Sequence, residues 1–169
     1  VFPYMVDGDL TFYPYLVVDM ELLLPEFSHF ERQLDEGVNL ISFYVLPVEA
    51  TIDTVFESCE ESIDCVITEG SAACYDPTTG EWNGSNLDIK PTKGYWVIAN
   101  SDCDLSFVGF NYNPALEYTL HPGANLISYP AQGCAEIEVS LIPFGDYFDA
   151  VFGDGNAAMN TINGGWGGS

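Results

Sequence analysis

The string Asn-Leu-Ile-Ser occurs twice, at residues 39–42 and 125–128, inside a longer self-similarity. FERQLDEGVNLIS (30–42) aligns with LEYTLHPGANLIS (116–128) at an offset of 86. EGSAA (69–73) aligns with DGNAA (154–158) at an offset of 85, and WNGS (82–85) with WGGS (166–169) at 84. Three ordered anchors at nearly one spacing mean that one supersecondary unit is present twice.

The first copy continues past Ser85 with NLDIKPTKGYWVIANSDCDLSFVG (86–109), and nothing equivalent follows Ser169. GYWVIA is aromatic and β-branched, NSDCD is turn chemistry and LSFVG is a short strand, so the segment reads as a β-hairpin. Its likeness stands at the other end of the chain. YMVDGDLTF (4–12) shares Tyr-x-Val and Asp-Leu-(Thr/Ser)-Phe with YWVIANSDCDLSF (95–107), around a shorter turn. The expected organisation is two copies in permuted order: a closing hairpin and bridging strand at 1–29, a complete module at 30–113, and an incomplete module at 114–169.

Within each copy, a strand (30–34; 116–120), a turn at Gly37 or Gly123, and a second strand, NLISF or NLISY, come first. Pro47 and Pro130 terminate that strand, because proline cannot donate to a ladder. ATIDTVFESC places Ile52, Val55 and Phe56 at helical spacing, with EIEVSLIPF as its counterpart. DCVITEGSAACYD and YFDAVFGDGNAAM read as strand, Gly turn, strand. DPTTGEW is a tight turn, and YLVVDMELLL (15–24) is a candidate bridging strand. The expected class is mainly β: two small antiparallel modules with one short helix each, the second completed by a donated N-terminal hairpin.

Charge narrows the function. With 26 acidic residues against 3 basic ones (Arg32, Lys90, Lys93), the formal net charge is -23. Such a surface repels phosphate backbones and anionic lipid, which argues against nucleic-acid and membrane-surface partners. No stretch reaches the ~20 apolar residues of a membrane-spanning helix, so no membrane insertion is expected. A 47% hydrophobic and 14% aromatic content supports a packed fold rather than an acidic disordered chain. The first residue is Val1 rather than Met, which fits removal of a secretory signal.

The strings GVNLISFYVLP and GANLISYP, followed by EGSAA, Trp-x-Gly-Ser and KPTKGYWV, resemble a tandem repeat module of secreted and cell-surface bacterial proteins. The likeness covers 30–109 well and 116–169 as a partial copy, with Pro91-Thr92-Lys93-Gly94 departing slightly in spacing. It implies a small extracellular β-module of structural or adhesive character without enzyme activity, and more remotely a subunit of an extracellular filament.

Several motifs read as structure rather than chemistry. YDPTTGEW is similar to the turn of a kelch blade, but such blades recur at ~50 residues and the string occurs once. His29 and His121 are the only imidazoles; His121 aligns with Asp35, as a variable surface turn residue would. No Ser-His-Asp or Cys-His set has a workable spacing. The acidic pairs Glu60/Glu61, Asp102/Asp104 and Asp7/Asp9 read as solvated turns, with a glycosidase carboxylate pair or calcium as the alternatives. No catalytic, metal or cofactor site is expected. Asn83-Gly84-Ser85 is a glycosylation candidate at Asn83. Sequence does not fix the disulfides; the candidates are Cys59 with Cys65 and Cys103 with Cys134, leaving Cys74 as a buried thiol.

These readings lead to a head-to-tail subunit of an extracellular fibre, its only partner another copy, with a glycan as a possible addition. The donor residues are Tyr4, Met5, Val6, Leu10 and Phe12; the acceptor residues are Asn125, Ile127, Ala157 and Trp166. The alternative is a secreted monomeric binding module, for carbohydrate or adhesion, in which the N-terminus folds back onto its own second copy.

Overall fold

The computed structural model describes residues 4–6, 9–11, 27–112, 115–129, 131–133, 135–141, 147–161 and 165–168. In chain order the elements are β1 (Tyr4–Val6), β2 (Asp9–Thr11), β3 (Phe27–Leu34), β4 (Gly37–Ser42), β5 (Val45–Leu46), α1 (Ile52–Phe56), β6 (Ile63–Thr68), β7 (Ser71–Asp76), β8 (Glu81–Gly84), β9 (Gly94–Ala99) and β10 (Cys103–Asn111). There follow α2 (Ile137–Leu141), β11 (Ala150–Phe152), β12 (Ala157–Asn160) and β13 (Trp166–Gly168). The class is mainly β with two short helices, as expected. The bridging segment 15–24, Phe12, Pro130, Cys134 and Ser169 lie outside the described residues.

The first copy is two sheets around one core. One is five-stranded, in the order β4-β9-β6-β7-β8; the other is three-stranded, in the order β3-β10-β5. Every pairing is antiparallel. Strand β9 shows how the sequence dictates this. Its alternation buries Tyr95, Val97 and Ala99 on one face and leaves Trp96 partly exposed on the other, the period of two that a half-buried strand requires. Helix α1 closes the core: the Thr51 hydroxyl accepts from the Thr54 N–H at its N-terminus, and Ile52, Val55 and Phe56 face inward. All buried hydrophobic residues among those described fall between Phe30 and Leu105.

Three expectations need correction. First, GYWVIA and CDLSFVG do not form a hairpin. β9 pairs with β4 and β6, whereas β10 pairs with β3 and β5, so the turn at 100–102 carries the chain from one sheet into the other. β3 and β4 make the same crossing beside it, running in the opposite direction. The corner is held by the Glu36 N–H donating to Asp102 Oδ1 at 2.8 Å, with Gly37 at φ 108. Bending the whole ribbon buries both of its halves around the core.

Second, the cysteines pair differently. Cys59 joins Cys103, tying the end of α1 to β10, and Cys65 joins Cys74 across β6 and β7. Cys74 is therefore not a free thiol. The β6–β7 hairpin places Cys65 opposite Cys74 in register, and Cys59 is carried away from Cys65 by a 3-10 turn at Glu60–Ser62.

Third, 116–120 and 125–129 are not strands. A strand exists through its ladder, and β3 and β4 owe theirs to β10 and β9. No equivalent ladder faces 116–120 among the described residues, and 125–129 makes a single bridge, Ile127 to Lys93.

What the second copy does form repeats the first residue by residue. Ala73, Cys74 and Tyr75 pair with Gly84, Asn83 and Trp82; Ala158, Met159 and Asn160 pair with Gly168, Gly167 and Trp166. Cys65 faces Cys74 as Ala150 faces Met159. Gly70 and Gly155 turn the two hairpins at φ 77 and φ 71.

Candidate functional site

The second copy carries an open groove of about 530 Å³, lined by Glu136, Ile137, Val151, Gly153, Asn156, Ala157, Ala158, Trp166 and Gly168. Much of its apolar lining consists of the repeat counterparts of core residues. Ile137 stands where Ile52 stands in the first copy, Val151 where Val66, Ala158 where Ala73, and Trp166 where Trp82. In the first copy Val66 is fully buried, and Ala73 is 1% and Ile52 4% exposed. In the second copy Val151, Ala158 and Ile137 are only half-buried, while Trp166 is half-buried as Trp82 is. The groove is thus a core wall without its opposite wall.

Copy one identifies what fills it there. β9 lies along the outer edge of β6, with Val97 opposite Val66 and Trp96 opposite Ile67. β11 is the counterpart of β6, and in its sheet, ordered β11-β12-β13, no strand among the described residues pairs with its outer edge. An unpaired edge beside an apolar groove is a surface suited to strand addition. Gly168 keeps one end narrow: a Cβ there would collide with the Ala157 backbone, as one at Gly84 would with Ala72.

Of the expected acceptor residues, the structure brings Ala157 and Trp166 to the groove and leaves Asn125 and Ile127 elsewhere. Asn125 closes its own turn, accepting from the His121 N–H at 2.9 Å and donating to the His121 carbonyl at 2.8 Å. Ile127 and Ser128 dock against the start of β9, through Gly94 N–H to the Leu126 carbonyl at 3.2 Å and Ser128 N–H to the Thr92 carbonyl at 3.3 Å. Ile137, Val151, Ala158 and Gly168 were not singled out from sequence. The offset of 85 from residues with core character was the signal that carried them. Of the donor residues, Tyr4, Met5, Val6 and Leu10 fall in β1 and β2, which pair with each other as a hairpin: Tyr4 with Thr11, Met5 with Leu10, Val6 with Asp9.

Polar contacts hold the two copies against each other. Arg32 reaches Asp154 at 3.3 Å. Glu69, in the β6–β7 turn, forms an ion pair with Lys93 at 3.8 Å and contacts His121 Nε2 across the seam. The Pro122 carbonyl at Nδ1 and Glu69 at Nε2 together raise the His121 pKa; the His121 hydrogen bond lowers that of Glu69. Asn83 is exposed on the edge strand β8, with the Ser85 N–H donating to the Ala72 carbonyl at 2.8 Å. Among the described residues no three His, Cys, Asp or Glu side chains gather as metal ligands, and no helix is long and apolar enough to cross a membrane.

No family model, curated protein or solved structure matches this chain.

Proposed function

We propose that this protein is a non-catalytic structural subunit of an extracellular fibre, assembling head to tail as residues 4–12 of one copy complete the second repeat of the next. One observation carries the reading: no strand among the described residues covers the groove of the second repeat as β9 covers the same residues in the first, and the pattern of β9 and its continuation recurs at 4–12. Tyr4 and Val6 match the fully buried Tyr95 and Val97; Leu10 and Phe12 match Leu105 and Phe107. Burying four such side chains is worth roughly 6–12 kcal/mol before ordering costs. A donor at one end and an acceptor at the other make a heterologous contact, which propagates unless its geometry closes a ring. Two disulfides suit an oxidising compartment, and the likeness to secreted bacterial repeat modules points the same way.

The test is assembly of the full chain and of a Tyr4→Asp/Val6→Asp variant, followed by size-exclusion chromatography and negative-stain imaging. The parent is expected to give fibres and the variant monomers, and a peptide of residues 1–12 added in excess should shorten the parent fibres. Fibres from the variant, or a monomeric parent at high concentration, would remove the proposal; the monomer would favour the secreted binding module instead.

A further inference from the structure

The geometry points to a donor that must open before it docks: the β1–β2 hairpin is the idle form of the segment, and in the acceptor its two strands part into different sheets. This inference rests on strand donation and specifies its register. In the first copy β9 is an inner strand, with both edges paired, to β4 on one side and β6 on the other. A segment in that position has no edge left for a hairpin partner. Yet the segment's own N–H and C=O groups along one edge are committed to β2, Tyr4 to Thr11 and Val6 to Asp9. The two pairings exclude each other. The continuation of β9 does not return beside it but crosses at 100–102 into the sheet of β3 and β10.

Transferring the observed register fixes the contacts. Val97 lies opposite Val66 and Asn39, and Trp96 opposite Ile67 and Leu40. Val6 of the donor then lies opposite Val151 and Asn125 of the acceptor, and Met5 opposite Phe152 and Leu126. Leu105 lies opposite Arg32, so Leu10 falls opposite Tyr118 in the second sheet. Residues 116–120 and 125–128, which are not strands in the single chain, gain their missing ladder only when the donor arrives. Docking would therefore order the acceptor as it opens the donor, and self-pairing of the hairpin holds back association of newly made chains.

Two full-length variants test this in a Cys134→Ser background. Met5→Cys/Leu10→Cys places thiols at directly opposed positions, so oxidation closes the hairpin covalently. Fibre formation should fall at least tenfold relative to the same variant assembled before oxidation, its thiols still free, which serves as the control. Val6→Cys/Val151→Cys should give disulfide-linked ladders between chains on non-reducing gels, and Val6→Cys/Gly153→Cys, two positions out of register, should not. If the closed hairpin assembles as fast as its control while the Val6–Val151 ladders still form, opening is refuted and strand donation stands. If the Val6–Val151 bond forms only within single chains, donation between copies is refuted as well.

Discussion

Asn39 and Asn125 perform the same task 86 positions apart. Each side chain spans its turn, accepting from the N–H and donating to the carbonyl of the residue four positions earlier, Asp35 or His121. The surroundings differ, because Asn39 is 7% exposed while Asn125 belongs to a copy without a closed core. Removing a buried partner leaves backbone groups unsatisfied, so Asn39→Ala should cost about 1–3 kcal/mol in urea unfolding. Asn125→Ala should cost less than 1 kcal/mol, because water can replace a half-buried side chain. The seam between the copies offers a second test. The His121 pKa is raised above its ordinary 6.5, so its contribution is complete below that value and fades as pH climbs through the raised one. That of Glu69 is lowered from 4.5, so its contribution holds above 4.5 and is lost as pH falls through the lowered value. The contact is therefore tightest between about pH 4.5 and 6.5. An NMR titration should show the His121 pKa falling in a Glu69→Gln variant; an unchanged value would mean that the contact does not form in solution.

At the scale of elements, disulfides separate the two copies most clearly. Cys65 and Cys74 correspond to Ala150 and Met159, so the second copy keeps the hairpin register without the cross-link. The Cys59–Cys103 bond closes a sequence separation of 44, and Cys65–Cys74 one of 9. Loop-closure entropy makes the first worth about 4 kcal/mol and the second roughly 2.5 kcal/mol. Replacing each pair by alanine and measuring thermal unfolding should show Cys59→Ala/Cys103→Ala as the more damaging change. The shorter bond was legible in the sequence. A hairpin turning at Gly70 sets Cys65 against Cys74 in register, whereas loop proximity alone pairs Cys65 with Cys59. Helices α1 and α2 and the two Gly-turn hairpins were also legible, since each rests on local spacing and turn chemistry. The path of β9 into β10 was not. Asn100-Ser101-Asp102 reads as a hairpin turn from its composition alone. What makes it a crossing is non-local: Asp102 accepts from Glu36, and Asn100 donates to Asp64 at 3.0 Å. The strand character of 116–120 was misread for a related reason, because propensity supplies no ladder. The groove was half legible: Ala157 and Trp166 follow from the repeat anchors, and the remaining lining residues require the same offset applied to the core.

On the whole-molecule scale, the proposed assembly would bring like charges together. The chain carries a net charge of -23, and two of its three basic residues, Arg32 and Lys93, are engaged with Asp154 and Glu69 at the seam. Little positive charge is left to receive an acidic neighbour. The donor segment adds Asp7 and Asp9 and no basic side chain. Encounter between copies is thus a meeting of like charges, which slows association until salt shortens the range of repulsion. That range is about 30 Å at 0.01 M ionic strength and about 8 Å at 0.15 M. The apolar contacts that hold a docked strand are not weakened over this interval. Fibre growth followed by light scattering should therefore accelerate several-fold between 10 and 150 mM NaCl, the reverse of an interface built on ion pairs. Asp7→Asn/Asp9→Asn should raise the low-salt rate and flatten the salt dependence, because it removes charge from the approaching segment alone. Growth that slows with added salt would show that specific ion pairs drive assembly, and the apolar strand would lose its place as the main contact.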